Sequence, residues 1–151
     1  RSRRRPASRS SNRINHRGMI MKHLTDYTSD KLSKLWDDNG AFFAFSDEQL
    51  DESKQEGVAY VSLGMGLITP KENASKVIAG LESIHTEGIK QDISENGIKP
   101  IIHRELANYE TQISGDISDT VAALEDYGIT RKQISEEYKS FYQHCVDNDY
   151  F

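Results

Sequence analysis

The sequence predicts an α+β fold: a predominantly helical single domain with a small two- or three-stranded sheet, preceded by a disordered basic N-terminal arm. Helical periodicity with capping residues recurs along most of the chain, whereas only two short apolar runs fit strands. The two runs are close together in sequence, which favours an antiparallel or small mixed sheet over a doubly wound one. The third observation is an abrupt change of charge after residue 18.

Residues 1–18 hold seven arginines and neither lysine nor acid. So few apolar groups cannot offset the entropy of ordering the chain, and the segment is therefore predicted to be a disordered arm. It has two interpretations, a nucleic-acid-binding arm or a segment that is not native. We favour the second, because the rest of the chain uses ten lysines and only two arginines. On this interpretation, residues 19–151 are expected to form one acidic domain that starts at Met19 or Met21.

The charge of residues 19–151 limits the partners of this domain. Its 12 basic residues face 24 acidic ones, a net charge of −12. Such a domain should repel nucleic acid and anionic membranes, and a nucleic-acid partner is expected only if the arm is native. A basic protein is the electrostatically favoured partner. A single cysteine, Cys145, and the lack of an apolar run of ~20 residues predict a cytoplasmic protein.

The first half of the domain is predicted to alternate helices and strands. Capping residues and glycines mark the element ends, and Ser46 with Gln49 forms a capping-box pattern. The predicted elements are a helix at 30–38 capped by Thr28 or Ser29, a buried aromatic strand at 41–45, a helix at 46–55 and a strand at 58–63.

The second half is predicted to be helical. Pro70 stands at the first position of a helix that ends at Gly88, with Asn73 as an alternative cap. The helices that follow are a short one at 89–95, one opened by Pro100, one capped by Asp116 and closed by Gly128, and a last one capped by Thr130 with Gln133. The apolar stripe of the last helix includes Cys145, which predicts a buried, inert thiol.

Gly64-Met65-Gly66 is predicted to lie between a strand and a helix, the position of phosphate-binding loops. Lys71 is nearby, so Gly64, Gly66 and Lys71 are candidate ligand-binding residues. The third glycine of the dinucleotide motif is missing, however, because Thr69 occupies its position. A glycine-permitted bend or bulge after a strand is the favoured interpretation.

His103-Arg104-Glu105 and Asn108 form the second candidate ligand-binding group. On a helix, Asn108 shares a face with both Arg104 and Glu105. A helical metal site needs a second ligand three or four residues from His103, where Leu106 and Ala107 stand. The sequence thus predicts no metal site, no catalytic group and no cofactor, and a polar helix face is the favoured interpretation.

Three segments of the chain carry a resemblance to known proteins. They are Gly40-Ala41-Phe42-Phe43-Ala44-Phe45-Ser46, the run from Leu63 to Asn73, and Arg104-Glu105-Leu106-Ala107-Asn108-Tyr109-Glu110 leading to Gly115-Asp116-Ile117. Together they resemble a family of small uncharacterised proteins of tailed phages and gut-bacterial mobile elements. The resemblance covers most of residues 19–142 and implies an intracellular, phage-type setting, but it carries no activity, substrate or cofactor.

The leading functional hypothesis is a non-enzymatic acidic interaction protein that binds a basic host protein in the bacterial cytoplasm. The alternative is a small-ligand or nucleotide-binding domain, with or without catalysis. That alternative requires the Gly64–Gly66 loop and the His103–Asn108 helix to converge on one pocket.

Overall fold

The computed structural model describes residues 13–14 and 20–151. Within them the fold class is confirmed, since the chain is predominantly helical with a small three-stranded antiparallel sheet. Two further strands, β1 (Arg13–Ile14) and β2 (Ile20–Met21), pair with each other in antiparallel fashion. The remainder of the predicted arm lies outside the described residues.

The contacts divide the chain into two compact units. We call Thr25–Gly88 the sheet unit, and the described residues up to Leu24 together with Ile89–Phe151 the helical unit. The prediction of a single domain over residues 19–151 stays a prediction. No helix of the described ranges combines the length and the apolar composition needed to cross a membrane.

The sheet unit holds the three-stranded sheet and the helices that cover it. In chain order the elements are α1 (Leu24–Asn39), β3 (Phe42–Phe43), α2 (Asp47–Ser53), β4 (Tyr60–Ser62), β5 (Leu67–Pro70), a 3₁₀ turn (Lys71–Asn73) and α3 (Ala74–Asn96), which continues into the helical unit. The strand order is β3-β5-β4, and Leu67 of β5 lies opposite Phe43 of β3. Ala41, Leu67 and Val77 form the buried core of this unit.

Several predicted helix boundaries in this unit are wrong. The first helix begins at Leu24, so the expected cap Thr28 lies inside it and is buried beside Tyr27. Pro70 ends a strand, and α3 begins only at Ala74. Gly88 does not end that helix, because a glycine in an interior turn weakens a helix by about 1 kcal/mol without terminating it. Burial thus overrides the local signals at these positions.

The Gly64–Gly66 segment makes a hairpin turn between β4 and β5, so the expected strand-to-helix connection is wrong. A hydrogen bond of 3.0 Å from the Leu67 N–H to the Gly64 carbonyl closes the turn. Its central residues, Met65 and Gly66, both have positive φ, 55° and 81°. Positive φ at both central positions is the signature of a type I′ turn, which favours Asn-Gly.

The helical unit is built from the C-terminal third of α3 and the helices that follow it. These are α4 (Ile98–Asn108), α5 (Thr111–Ser114), α6 (Ser118–Ala123), a 3₁₀ turn (Glu125–Tyr127) and α7 (Arg131–Asn148). The capping box of Thr130 and Gln133 at the start of α7 is confirmed, and Cys145 is buried as predicted. The fully buried residues of the core are Ile101, Ile102, Leu106, Leu124, Ile134 and Cys145.

We expect Gly66→Ala to destabilise the protein more than Gly57→Ala. Both glycines have a φ of +81°, so both substitutions carry the steric penalty of about 1 kcal/mol for an L-residue in this region. A Cβ at Gly57 meets no atom within 4 Å, whereas one at Gly66 lies 2.4 Å from the Phe45 ring. Displacing that ring should add about 1 kcal/mol.

Urea unfolding of the two variants measures the difference. Equal losses of unfolding free energy would contradict the close contact between Phe45 and Gly66.

Candidate functional site

The seven candidate site residues fall into the two units. Gly64, Gly66 and Lys71 belong to the sheet unit, where the lysine is exposed at the start of a 3₁₀ turn. The other four, His103, Arg104, Glu105 and Asn108, lie on α4 of the helical unit. Ligand binding by either group stays a prediction.

Arg104 forms a buried ion pair with Asp92 of α3. Nη1 and Nη2 of the guanidinium donate to the two oxygens of Asp92 at 2.9 and 3.0 Å, and both side chains are at most 1% exposed. Asp92 also accepts hydrogen bonds from the Asn96 amide at 2.8 Å and from the Tyr127 hydroxyl. Four hydrogen bonds therefore satisfy this carboxylate without water.

The remaining contacts of Arg104 complete what we call the Arg104 network: Asp92, Asn96, Arg104, Glu105 and Tyr127. Nε donates to Glu105 at 2.7 Å, and Nη1 also donates to the Lys22 carbonyl at 3.1 Å. Burial alone would lower the pKa of Arg104, but the hydrogen bonds and charges of Asp92 and Glu105 outweigh it and raise the pKa. The arginine therefore stays charged.

Tyr127 titrates far above the neutral range. Burial is the main cause of its raised pKa, and the hydrogen bond and negative charge of Asp92 raise the pKa further. Its hydroxyl therefore remains a donor to Asp92 throughout the physiological range.

The Arg104 network is a structural cross-link. Four of the five N–H donors of a guanidinium are committed to Asp92, Glu105 and Lys22, so little of Arg104 is left to bind a phosphate. Sequence reasoning missed Asp92. The available signal was its position on the same helical face as Ile89 and Ile93, where a carboxylate requires a buried partner.

The His103 side chain contacts the last helix. Its Nε2 lies 2.9 Å from Glu137 Oε1, and its ring packs edge-on against Phe141 at 5.9 Å. His103 and Asn108 are half-buried. Across residues 13–14 and 20–151 there is no group of three or more His, Cys, Asp or Glu side chains placed to hold a metal ion.

An open groove of about 520 Å³ lies elsewhere in the helical unit. None of the candidate residues lines it. Its walls are Ser118, Val121, Ala122, Glu125, Gly128, Ile129, Thr130 and Arg131.

The sheet unit carries an exposed apolar surface beside the hairpin turn. Phe43 is 45%, Phe45 74% and Met65 91% exposed, and we call these three residues the Phe45 patch. The Phe43 and Phe45 rings stack with their centroids 6.2 Å apart, and Trp36 packs edge-on against Phe43 at 5.7 Å. Phe45 also lies beside Gly66. The rings are thus restrained by their neighbours while Phe45 remains largely exposed.

Met65 occupies a position that favours another residue. Its φ of 55° lies in the left-handed region, which Asn and Gly adopt more readily than Met does. This large apolar side chain is almost fully exposed at a strained turn position, so it buries almost none of its surface within the described fold. Such strain is typical of surfaces that contact something else.

The chain that follows the patch is acidic. Asp47, Glu48, Asp51, Glu52 and Glu56 are all exposed, and Lys54 is the one cation among residues 46–57. Lys54 lies 3.9 Å from Asp51. The patch therefore borders a surface of net charge −4.

The sequence identified residues 41–45 as a strand but predicted it to be buried, and for Phe43 and Phe45 this is wrong. An aromatic run has the same sequence pattern whether its strand is covered within a sheet or lies at an exposed edge. The signal that distinguishes the two is the acidic stretch that follows immediately, since buried strands are not usually adjacent to five acids.

We expect Asp92→Asn to lower the unfolding free energy by about 3 kcal/mol, because it leaves the Arg104 charge buried without a full partner. Asp38→Asn is the matched control, since the 3.1 Å ion pair of Lys34 and Asp38 is more than half exposed. Its loss should be about 0.5 kcal/mol or less. Thermal and urea unfolding of both variants check the difference, and similar losses would contradict the role of the network.

Comparison with known proteins gives a family and no activity. No curated protein and no solved structure matches the chain. A family of unknown function matches residues 24–144, a range that includes Phe43, Phe45 and Met65 and stops before Val146. The match covers most of the sequence, and the chain therefore belongs to this family of unknown function, DUF7659.

Proposed function

We propose that this protein is a non-enzymatic interaction protein of phage or mobile-element type that binds a basic protein of the host cell in the bacterial cytoplasm. The Phe45 patch is its contact surface. The observation that carries the proposal is the exposed position of Phe45 and Met65 directly beside a run of acids.

The apolar part of the surface supplies binding energy. Aromatic residues and methionine are enriched at protein interfaces, and their burial against a partner removes apolar area from water at about 25 cal/mol per Å². The stacked rings of Phe43 and Phe45 lose little side-chain entropy on binding, because Trp36 and the backbone at Gly66 already restrain them.

The acidic part supplies the preference for a basic partner. Residues 46–57 have a net charge of −4, and residues 19–151 have a net charge of −12. Such a field steers basic proteins toward the surface, weakens with salt and repels nucleic acid. Phosphate binding by the Gly64–Gly66 segment has less support, since the segment makes a hairpin turn and no helix N-terminus follows it directly.

A pull-down from bacterial lysate tests the surface itself. We expect wild-type protein to retain a basic protein at low salt, and Phe45→Ser with Met65→Ser to lose it. The matched control is Tyr142→Ser with Val146→Ser, since these α7 residues are 42% and 47% exposed and lie in the helical unit. The control should retain the partner, and melting temperatures should show that all variants fold.

Retention that is equal in wild type and in the Phe45 and Met65 variant would overturn the proposal. Retention that persists unchanged at high salt, or an absence of any retained basic protein, would also overturn it.

We expect Met65→Asn to raise stability while it weakens binding. Asparagine suits the left-handed position of Met65, so the unfolding free energy should rise by about 0.5 to 1 kcal/mol. The same change removes the exposed thioether, so retention of the basic protein should fall. Chemical denaturation and the pull-down measure the two effects. A variant that gains stability and binds like wild type would exclude Met65 from the contact surface.

A further inference from the structure

We infer that the Phe45 patch recognises arginine in preference to lysine, so that its partner is a protein segment bearing arginine. This inference rests on the proposed function and specifies the chemistry of the partner. It follows from an exposed, restrained aromatic ring that is followed closely in the chain by carboxylates.

The Phe45 ring is largely exposed and is restrained by its neighbours. It is 74% exposed, it lies beside Gly66, and it stacks nearly parallel to Phe43 with an interplanar angle of 12°. A cation is attracted to the face of an aromatic ring when it lies within about 6 Å of the ring centroid. No reorganisation of the ring is needed to receive it.

Carboxylates lie within reach of a group on that face. Asp47 and Glu48 follow Phe45 by two and three residues, which limits their Cα atoms to about 7 and 11 Å from that of Phe45. Both side chains are exposed at the start of α2. A planar guanidinium stacked on Phe45 can therefore direct its N–H groups to one of these carboxylates.

Lysine does not match this combination. Its ammonium is compact and strongly hydrated, so it loses more by leaving water for an aromatic face, and it lacks the fork that pairs with a carboxylate in bidentate fashion. Both cations gain the same long-range attraction from the acids. The preference for arginine over lysine should thus depend on the Phe45 ring. The electrostatic attraction that both cations share should depend on the acidic residues.

Two fluorescein-labelled ten-residue peptides test the inference by fluorescence anisotropy on the full chain. One alternates arginine with glycine and serine, and the other has lysine in place of each arginine. We expect the arginine peptide to bind about threefold to fivefold tighter. Phe45→Leu should abolish the preference while it leaves the salt-dependent binding of both peptides, and Asp47→Asn with Glu48→Gln should weaken both.

Two controls accompany the measurement. Tyr142→Leu removes a ring that is 42% exposed from the helical unit and should leave the preference intact. A chain whose seven arginines in residues 1–17 are replaced by serine removes the guanidinium groups of that segment as competitors.

Equal affinities for the two peptides, a preference that survives Phe45→Leu, or no binding of either peptide would overturn the inference. If the lysate partner still depends on Phe45 and Met65, the proposed function stands and only the arginine preference fails. If the peptides behave as expected but retention from lysate ignores the patch, the proposed function fails instead.

Discussion

The helical unit depends on the buried contact between Arg104 and Asp92. A carboxylate with no water contact is tolerated only when its hydrogen-bonding capacity is filled, and Asp92 receives bonds from Arg104, Asn96 and Tyr127. Through Asp92 the network joins α3, α4 and the 3₁₀ turn Glu125–Tyr127, and through the guanidinium it reaches the carbonyl of Lys22. Since these bonds are directional where apolar packing is not, they fix how the segments meet around the apolar core.

This network explains why α4 is a poor candidate for chemistry although it carries several reactive side-chain types. Arg104 and Glu105 are consecutive in sequence and both buried, so one helix face is occupied by an internal ion pair. His103 is held by Glu137 of α7. The groups that look most capable of binding a ligand are thus engaged with one another or with neighbouring helices.

Local sequence patterns correctly predicted the helix starts that depend only on residues close together in the chain. Thr130 with Gln133 starts α7, and Ser46 with Gln49 starts α2, because a cap needs only residues three positions apart. The helix boundaries predicted at Gly88 and Thr28 are wrong, because tertiary burial outweighs about 1 kcal/mol of local preference. The burial of Asp92 could be suspected from its position on an apolar helical face, but the identity of its partner depends on the tertiary fold. The exposure of Phe45 depends on which strand is central in the sheet. The central strand, β5, has only four residues, which are too few to identify it from the sequence.

The β3 edge of the sheet is better suited to binding a partner through side chains than to pairing with an added β-strand. Because the Ala44 N–H donates to the Gly66 carbonyl, alternation along an antiparallel strand points the N–H of Phe43 away from β5. On either side of Phe43, the donors of the next outward-facing residues are already used: the Ala41 N–H bonds to the Trp36 carbonyl and the Phe45 N–H to Gln49. A peptide that paired with this edge would find one donor instead of a row of them. The affinity available here therefore comes from the rings, Met65 and the acids, and specificity at this surface depends on what can stack and carry positive charge at once.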